Sequence, residues 1–435
     1  MKTLYSIKSS ILLFFIIPLI SSVSINAQSL NMRFSTQVYG WERADSINSD
    51  SKTAHLRSYQ NLLIDASKDK WSFNTLIQTD ADLMNKIGKG FDYRFYNLYI
   101  KGSNLFNVLD LKLGRQYLFS GVGTGAMDGL YLKLKAGEYK EYQFTVFGGS
   151  ITETDYEFSG YAPFSENSIY GGNFSYYGVR DFYASVSYIN RHKKPEPYTA
   201  IRYDSLFNPY QTVISTDSPE DQLMGIDMNY NYNKRHYFFG KLYYDINNEK
   251  LYRGDFNANF LVTDNLRFTG FYSYHQPQIR YNSIFSTFAQ SEYQEAGGGI
   301  DYTLKNGINI YGKISDVFYT NENSIKLQAG FSLPSYGLSY THYSGYSGES
   351  NGFGGYYYRK LADILSMNLG LNYSNYRLGE YSTEKENVFS GLLGLTYRPN
   401  TQLSFDAQGQ FITNRIYKTD VRFLIGVNYW LFTKF

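Results

Sequence analysis

Cysteine is absent from this chain of 435 residues, which removes disulfides, thiol catalysis, iron–sulfur clusters and CxxCH haem attachment together. Long apolar runs are missing too: past Ile20 none reaches the roughly 18 residues of a membrane helix, so none is expected. There is no excess charge of one sign. The 41 basic side chains face 39 acidic ones, a balance that gives no footprint for nucleic acid. No repeat of constant period is found, which weighs against a propeller. His55, His192, His236, His275 and His342 are dispersed, with no HExxH spacing, and the chain has no GxSxG elbow. Neither an enzyme, a metal site nor a cofactor is therefore expected.

Aromatic residues and glycine are abundant, with 46 Tyr, 32 Phe and 38 Gly against only 9 Pro. Many aromatics without long apolar runs suit membrane strands, which show lipid one face only and carry aromatic girdles at both interfaces. At the N-terminus, Lys2 and Lys8 precede the apolar run 11–20, and a cleavage site follows Ala27. That is the pattern of a secretory signal peptide. Removing residues 1–27 takes away two lysines and no acids, leaving residues 28–435 neutral and expected to form one barrel domain.

Much of residues 28–435 alternates with period two. Leu109, Leu111 and Leu113 alternate with Asp110 and Lys112; Leu130, Leu132 and Leu134 alternate with Tyr131, Lys133 and Lys135. Leu365, Met367, Leu369 and Leu371 alternate with Ser366, Asn368 and Gly370. A helix would group apolar residues three and four apart, so these segments read as strands with one apolar and one hydrated face. Residues 56–66 and 236–244 do not divide cleanly. Short connections are read at 67–70, 136–140, 178–181, 233–235, 263–265, 305–307, 333–335, 361–363 and 398–400. Longer ones fall between them at 41–53, 79–91, 117–128, 152–167, 191–220, 276–290, 344–351 and 377–385. Alternating short and long connections predict an all-β, antiparallel, up-and-down transmembrane barrel of about 22 strands (range roughly 18 to 24).

The last stretch, 421–435, carries the most specific signal. Val421, Phe423, Ile425, Val427, Tyr429, Leu431 and Phe435 share one parity and make an apolar stripe. The stretch resembles the closing strand of bacterial outer-membrane β-barrels. The resemblance implies that Phe435, Leu431 and Tyr429 form the signal read by the barrel-assembly machinery. It also implies that the chain lies in the cell outer membrane with both termini periplasmic. Closure then requires this strand to pair with residues 31–40.

A second resemblance is local. Gly114-Arg115-Gln116 on one strand and Asp128-Gly129 opening the next are similar to a pattern in porin families related to alginate export. Arg115 and Asp128 are expected to form an ion pair that locks a glycine-rich loop at the rim or draws it into the mouth. Both share parity with outward leucines, so they should sit above the hydrocarbon or follow a bulge. The proline-containing connection 191–220 is read as a surface loop, an outer lid or an inward constriction. Phase alone places Lys101, Lys112, Lys133 and Lys135 on the inward face of three consecutive strands. It places Asp227, Asp255, Glu295 and Asp301 inward further round, as pore-lining selectivity candidates.

These features point to a porin for passive diffusion of small hydrophilic solutes. The alternative is a structural barrel that sheathes or anchors a partner in electron transfer or polysaccharide export. Expected partners are outer-membrane lipid, the assembly machinery and small polar solutes, with homo-oligomer formation left open.

Overall fold

The computed structural model describes residues 28–45, 53–87, 90–158, 162–215, 217, 219–277, 279, 291–320, 322–345, 348–379 and 383–434. The expected signal peptide and Phe435 lie outside them. The described residues form 24 strands and no helix. The first nine are β1 (Ser29–Asp45), β2 (Thr53–Lys68), β3 (Trp71–Met84), β4 (Phe91–Leu105), β5 (Leu109–Ser120), β6 (Gly123–Ala136), β7 (Tyr142–Ile151), β8 (Asn167–Tyr176) and β9 (Phe182–Lys193). Then come β10 (Tyr198–Tyr203), β11 (Pro209–Ile214), β12 (Asp221–Tyr232), β13 (His236–Asp245), β14 (Lys250–Thr263), β15 (Leu266–His275), β16 (Tyr293–Thr303), β17 (Asn309–Phe318) and β18 (Asn323–Ser332). The last six are β19 (Tyr336–Gly345), β20 (Gly348–Ala362), β21 (Leu365–Leu378), β22 (Glu386–Tyr397), β23 (Leu403–Thr413) and β24 (Tyr417–Lys434).

Twenty-two of them form one closed antiparallel sheet, in which each strand pairs with its neighbours in sequence. The exception is β9, which pairs with β12, because β10 and β11 leave the wall as a separate two-stranded ribbon. Closure is made by β24 against β1, with Lys434 opposite Ser29 and Phe423 opposite Gly40. The ring thus has no free edge strand, the condition for a sheet to span a bilayer.

The side-chain alternation explains why this ring is a membrane protein. Directly opposed residues of a ladder share a face, so Leu113 faces the same way as Leu130, and Val186 the same way as Ile226. These side chains are exposed on the outer surface, together with Val421, Phe423 and Ile425 of β24. The alternate positions, such as Asp110, Lys133, Ser185 and Asp227, point into the lumen. An apolar exterior around a polar interior is stable only in lipid.

Both described termini, and the short turns, lie at one end of the barrel. The tight turn between β16 and β17 is there: Gly307 takes φ 84° and its N–H donates to the Leu304 carbonyl at 2.9 Å. At the other end, two connections expected to be long are not. Strands β5 and β6 run through 117–128 and leave only residues 121–122 as a turn; β19 and β20 likewise extend to Gly345 and from Gly348. Glycine-rich, polar sequence resembles loop, but between paired strands it extends the ladder. Residues 56–66 and 236–244, which showed no clean faces, are ordinary barrel strands whose inward side chains are bulky.

Candidate functional site: the lumen and its inward hairpin

The β5–β6 hairpin leaves the wall. Pairing of β4 with β5 stops at Leu98–Arg115, and pairing of β6 with β7 stops at Met127–Ile151. Beyond those points, after one further bond from the Thr152 N–H to the Ala126 carbonyl at 3.2 Å, the hairpin's strands pair with each other and turn into the barrel. Its Leu118, Val122 and Met127 pack on inward side chains of Phe147, Ile169, Ile189, Leu223 and Tyr243, contributed by β7, β8, β9, β12 and β13. Met127 and Ile189 are fully inaccessible. Each aliphatic side chain buried in such a cluster contributes about 1.5–3 kcal/mol, so the hairpin is held in rather than resting there.

Polar stitches fix its depth. The Val122 N–H donates to Ser187 Oγ at 2.9 Å, in the middle of β9. Arg191 donates to the Thr124 carbonyl and pairs with Asp221 at 3.1 Å. Gly121 has φ 61°, and a Cβ there would lie 2.3 Å from Ser187 Oγ, so only glycine lets the tip come this close.

Where the hairpin departs, a gap opens between β4 and β7, and the segment 153–158 fills it. The Phe95 N–H donates to the Tyr156 carbonyl at 3.0 Å, and the Phe95 and Phe158 rings meet at 4.8 Å. Arg115 is the pin. Its guanidinium is bidentate to Asp128, 2.8 Å on each arm. Its remaining nitrogen donates to the carbonyls of Phe95, Tyr156 and Glu157, and its face lies 4.2 Å from the Phe158 ring centroid. The pair stands at the root of the hairpin. It does not hold the glycine-rich tip, which is fixed by Ser187 and Arg191, and it needs no bulge: the covering segment shields it from the apolar surroundings that its parity implied.

At the mouth opposite the termini lies a charge network that the sequence did not single out. Asp80 is fully buried between Arg57 and Arg94, with the Arg94 contact at 2.7 Å. Arg57 also lies 3.6 Å from Asp82 and from Asp92. A few strands round, Asp420 accepts from Arg43 at 3.1 Å and from Arg422 at 2.6 Å. The available signal was the alternation Arg57-x-Tyr59-x-Asn61 facing Gln78-x-Asp80-x-Asp82 on the next strand, a polar stripe hidden by leucines of the other face.

Lys101 lies opposite Lys112, and Asp110 opposite Lys133, all on the lumen face of β4 to β6. Lys135 pairs with Asp110 at 2.6 Å, and Lys112 lies within 5.5 Å of the Tyr99 and Tyr131 ring centroids. The carboxylates further round also face the lumen, but they do not form a purely acidic wall. Asp255 is shared by Arg253 at 2.6 Å and His275 at 3.0 Å; Glu295 accepts from Lys326 at 3.0 Å and Ser315 at 2.7 Å. Asp227 accepts from the Tyr243 hydroxyl at 3.0 Å, and Asp301 stands opposite Arg267 and Tyr311. Lysines and arginines interleave these acids, so that wall is mixed. Among the described residues no group of three or more His, Cys, Asp or Glu is placed to hold a metal ion.

The fold and lumen define a class, the closed 22-stranded β-barrel of outer-membrane type narrowed by its own chain. No protein-family model matches the sequence, and no curated protein matches it. Among solved structures the chain is similar to OccAB4 of Acinetobacter baumannii, at 10% identity and TM-score 0.42 over 94% of this chain and 99% of that one. It is similar to OpdQ of Pseudomonas aeruginosa, at 10% identity and TM-score 0.42 over 93% and 97%. The translocation pore of the P pilus usher PapC matches at 9% identity and TM-score 0.46 over 92% and 99%. Likenesses this distant carry no argument about what passes through this barrel.

Proposed function

We propose that the protein is an outer-membrane channel through which small hydrophilic solutes diffuse passively. The observation that carries this is the closed ring with a polar inner face, narrowed at mid-depth by the β5–β6 hairpin. A hydrated lumen admits polar solutes, the hairpin limits their size, and the lining charges set preference. Lys101, Lys112, Lys133 and Lys135 against one wall, with Asp227, Asp255, Glu295 and Asp301 among cations on the other, bias the orientation of dipolar solutes. A barrel that sheathed a partner would need a lumen clear of its own chain, so the inward hairpin favours the channel. On this reading residues 1–27 direct export, the end bearing both termini is periplasmic, and Tyr429, Leu431 and Phe435 serve recognition by the assembly machinery. Purified protein in a planar bilayer should give discrete conductance steps, and liposomes containing it should swell in small sugars and amino acids but not in large ones. Absence of both conductance and swelling would overturn the channel.

A further inference from the structure

We propose that the lumen wall of β13 to β18 carries a subsite for hydroxylated ring solutes, the sugar units of a short oligosaccharide. The inference rests on the channel reading, since it names the solute class of the same lumen. A recess of about 670 Å³ opens in this wall. Phe239 of β13 and Phe271 of β15 line it, and both are directly opposite Asn257 of the intervening β14. With an amide strand between them, the two residues are rooted two strand spacings apart, roughly 9–10 Å, about the span of two linked sugar rings. Phe271 lies against the wall: a Cβ on Gly297 would sit 2.6 Å from its ring, so the glycine is what lets the ring lie there.

The polar groups around the rings suit hydroxyls better than a single ion. Lys313 stands 4.2 Å from the Phe271 centroid and Lys241 5.4 Å from that of Phe239, so each ring carries a flexible cationic side chain, and a sugar that packs on the ring displaces that ammonium to its rim, where it donates to a hydroxyl. Arg253 and His275 are already engaged by Asp255, which leaves that part of the recess close to neutral. Asp301 and Gln328 also line the recess, and Asp301 makes no hydrogen bond or ion pair among the described residues. An acceptor without a partner, an amide, and cationic donors around two aromatic faces match a sugar: its C–H face packs on a ring while its rim hydroxyls both donate and accept. An inorganic ion would find no apolar complement here, and a hydrocarbon would leave the charged groups unsolvated.

The test uses maltotriose and a polyethylene glycol of the same hydrodynamic size, applied to the full protein in planar bilayers. Maltotriose should interrupt the current saturably at concentrations where the polymer only lowers it in proportion to the volume it excludes. Replacing both rings, Phe239→Ala with Phe271→Ala, should raise the half-blocking concentration roughly tenfold, a factor within reach of two lost ring contacts. Asp301→Ala, which removes an acceptor and no internal contact, should raise it less. Equal block by sugar and polymer, or block unchanged in both variants, would overturn the subsite and leave the channel standing. Should the protein not conduct, calorimetric titration of maltotriose into the solubilised protein still decides: saturable heat lost in the double variant supports the subsite, and no heat in the wild type overturns it.

Discussion

Two ribbons leave the barrel wall at the end opposite the termini, and only one of them packs against the lumen wall. The β5–β6 hairpin turns inward and is lost to solvent along one face; the β10–β11 ribbon pairs only with itself, and Ile201, Leu206, Phe207 and Val213 stay exposed. Both carry apolar side chains, so hydrophobicity alone does not decide which one packs. What differs is complementarity. The hairpin carries Leu118 and Met127 on one face, opposite a patch of wall where the inward positions are Phe147, Ile169, Ile189 and Leu223 instead of the usual polar residues. It also carries Gly121 at the one point where backbone must touch Ser187. The ribbon has apolar side chains on both faces and no matching patch. A connection becomes a constriction when the wall has been prepared for it.

That difference predicts the largest effect. Deleting residues 119–124, so that β5 and β6 close with a short turn, should raise single-channel conductance several-fold. Deleting residues 198–214 should leave it unchanged. A point change sharpens the contrast: Val122→Asp places an unpaired carboxylate in the apolar cluster, at a desolvation cost of several kcal/mol, and should expel the tip. The channel would then be wide and noisy. If the two deletions altered conductance equally, the hairpin would not be the constriction.

The next effect concerns stability at the root of the hairpin. Arg115 and Asp128 are almost wholly buried, and the arginine also satisfies three carbonyls across the gap. Removing one member of a buried pair costs about 3–5 kcal/mol, because the other charge is left without a partner. Arg115→Ala should therefore destabilise the folded barrel by that order in urea titrations in lipid, and should open residues 153–158 to protease. Lys194→Ala, which removes a partly exposed pair with Glu166 at 3.3 Å, should cost under about 1 kcal/mol.

A third effect is electrical. Changing Lys101, Lys112, Lys133 and Lys135 together to glutamate should move the reversal potential in a salt gradient towards cation selectivity, as the field beneath the hairpin changes sign. The same four substitutions combined with the 119–124 deletion should move it less, because a wider lumen is better screened. An unchanged reversal potential in the intact barrel would remove the lysines from any part in selectivity.

The sequence showed the wall better than the contents of the lumen, for a physical reason. Strand parity is enforced by lipid at every second residue, so the stripe from Val421 to Leu431 could be read from the sequence, while its pairing with β1, which closure required, is shown by the structure. Strand number followed from the rhythm of turns. The inward course of the glycine-rich segment was one of two readings the sequence left open, and its packing could not be read, because Leu118, Val122 and Met127 are scattered among glycines and their partners Ile169, Ile189 and Leu223 lie 40 or more residues away. A valine flanked by two glycines, Gly121-Val122-Gly123, was the one local hint that the tip was packed. The mouth network of Arg57, Asp80 and Arg94 was missed for the converse reason. Its charges alternate as they should, but bulky apolar residues on the same strands blurred both faces.

The smallest effect tests the β10–β11 ribbon alone. At its turn, Asp204 accepts from the Asn208 N–H at 2.8 Å, the Asn208 side-chain amide at 3.1 Å and the Leu206 N–H at 2.8 Å. These bonds, those from Asn208 foremost, hold its carboxyl below the usual carboxylate range. A depressed folded value means that the stabilisation is present above the unfolded value, about 3.9, and fades as pH falls through the lower folded one. Protection of the Leu206 and Asn208 amides from exchange, relative to free amides at the same pH, should thus hold from neutrality down to the unfolded value and fall only in stronger acid. In Asp204→Ala that protection should be lost throughout. Conductance should be the same for both proteins at every pH where the barrel is intact, since the bonds of this turn all lie within residues 204–208; a conductance step that tracked this titration would show the ribbon bearing on the pore and break the contrast with the hairpin.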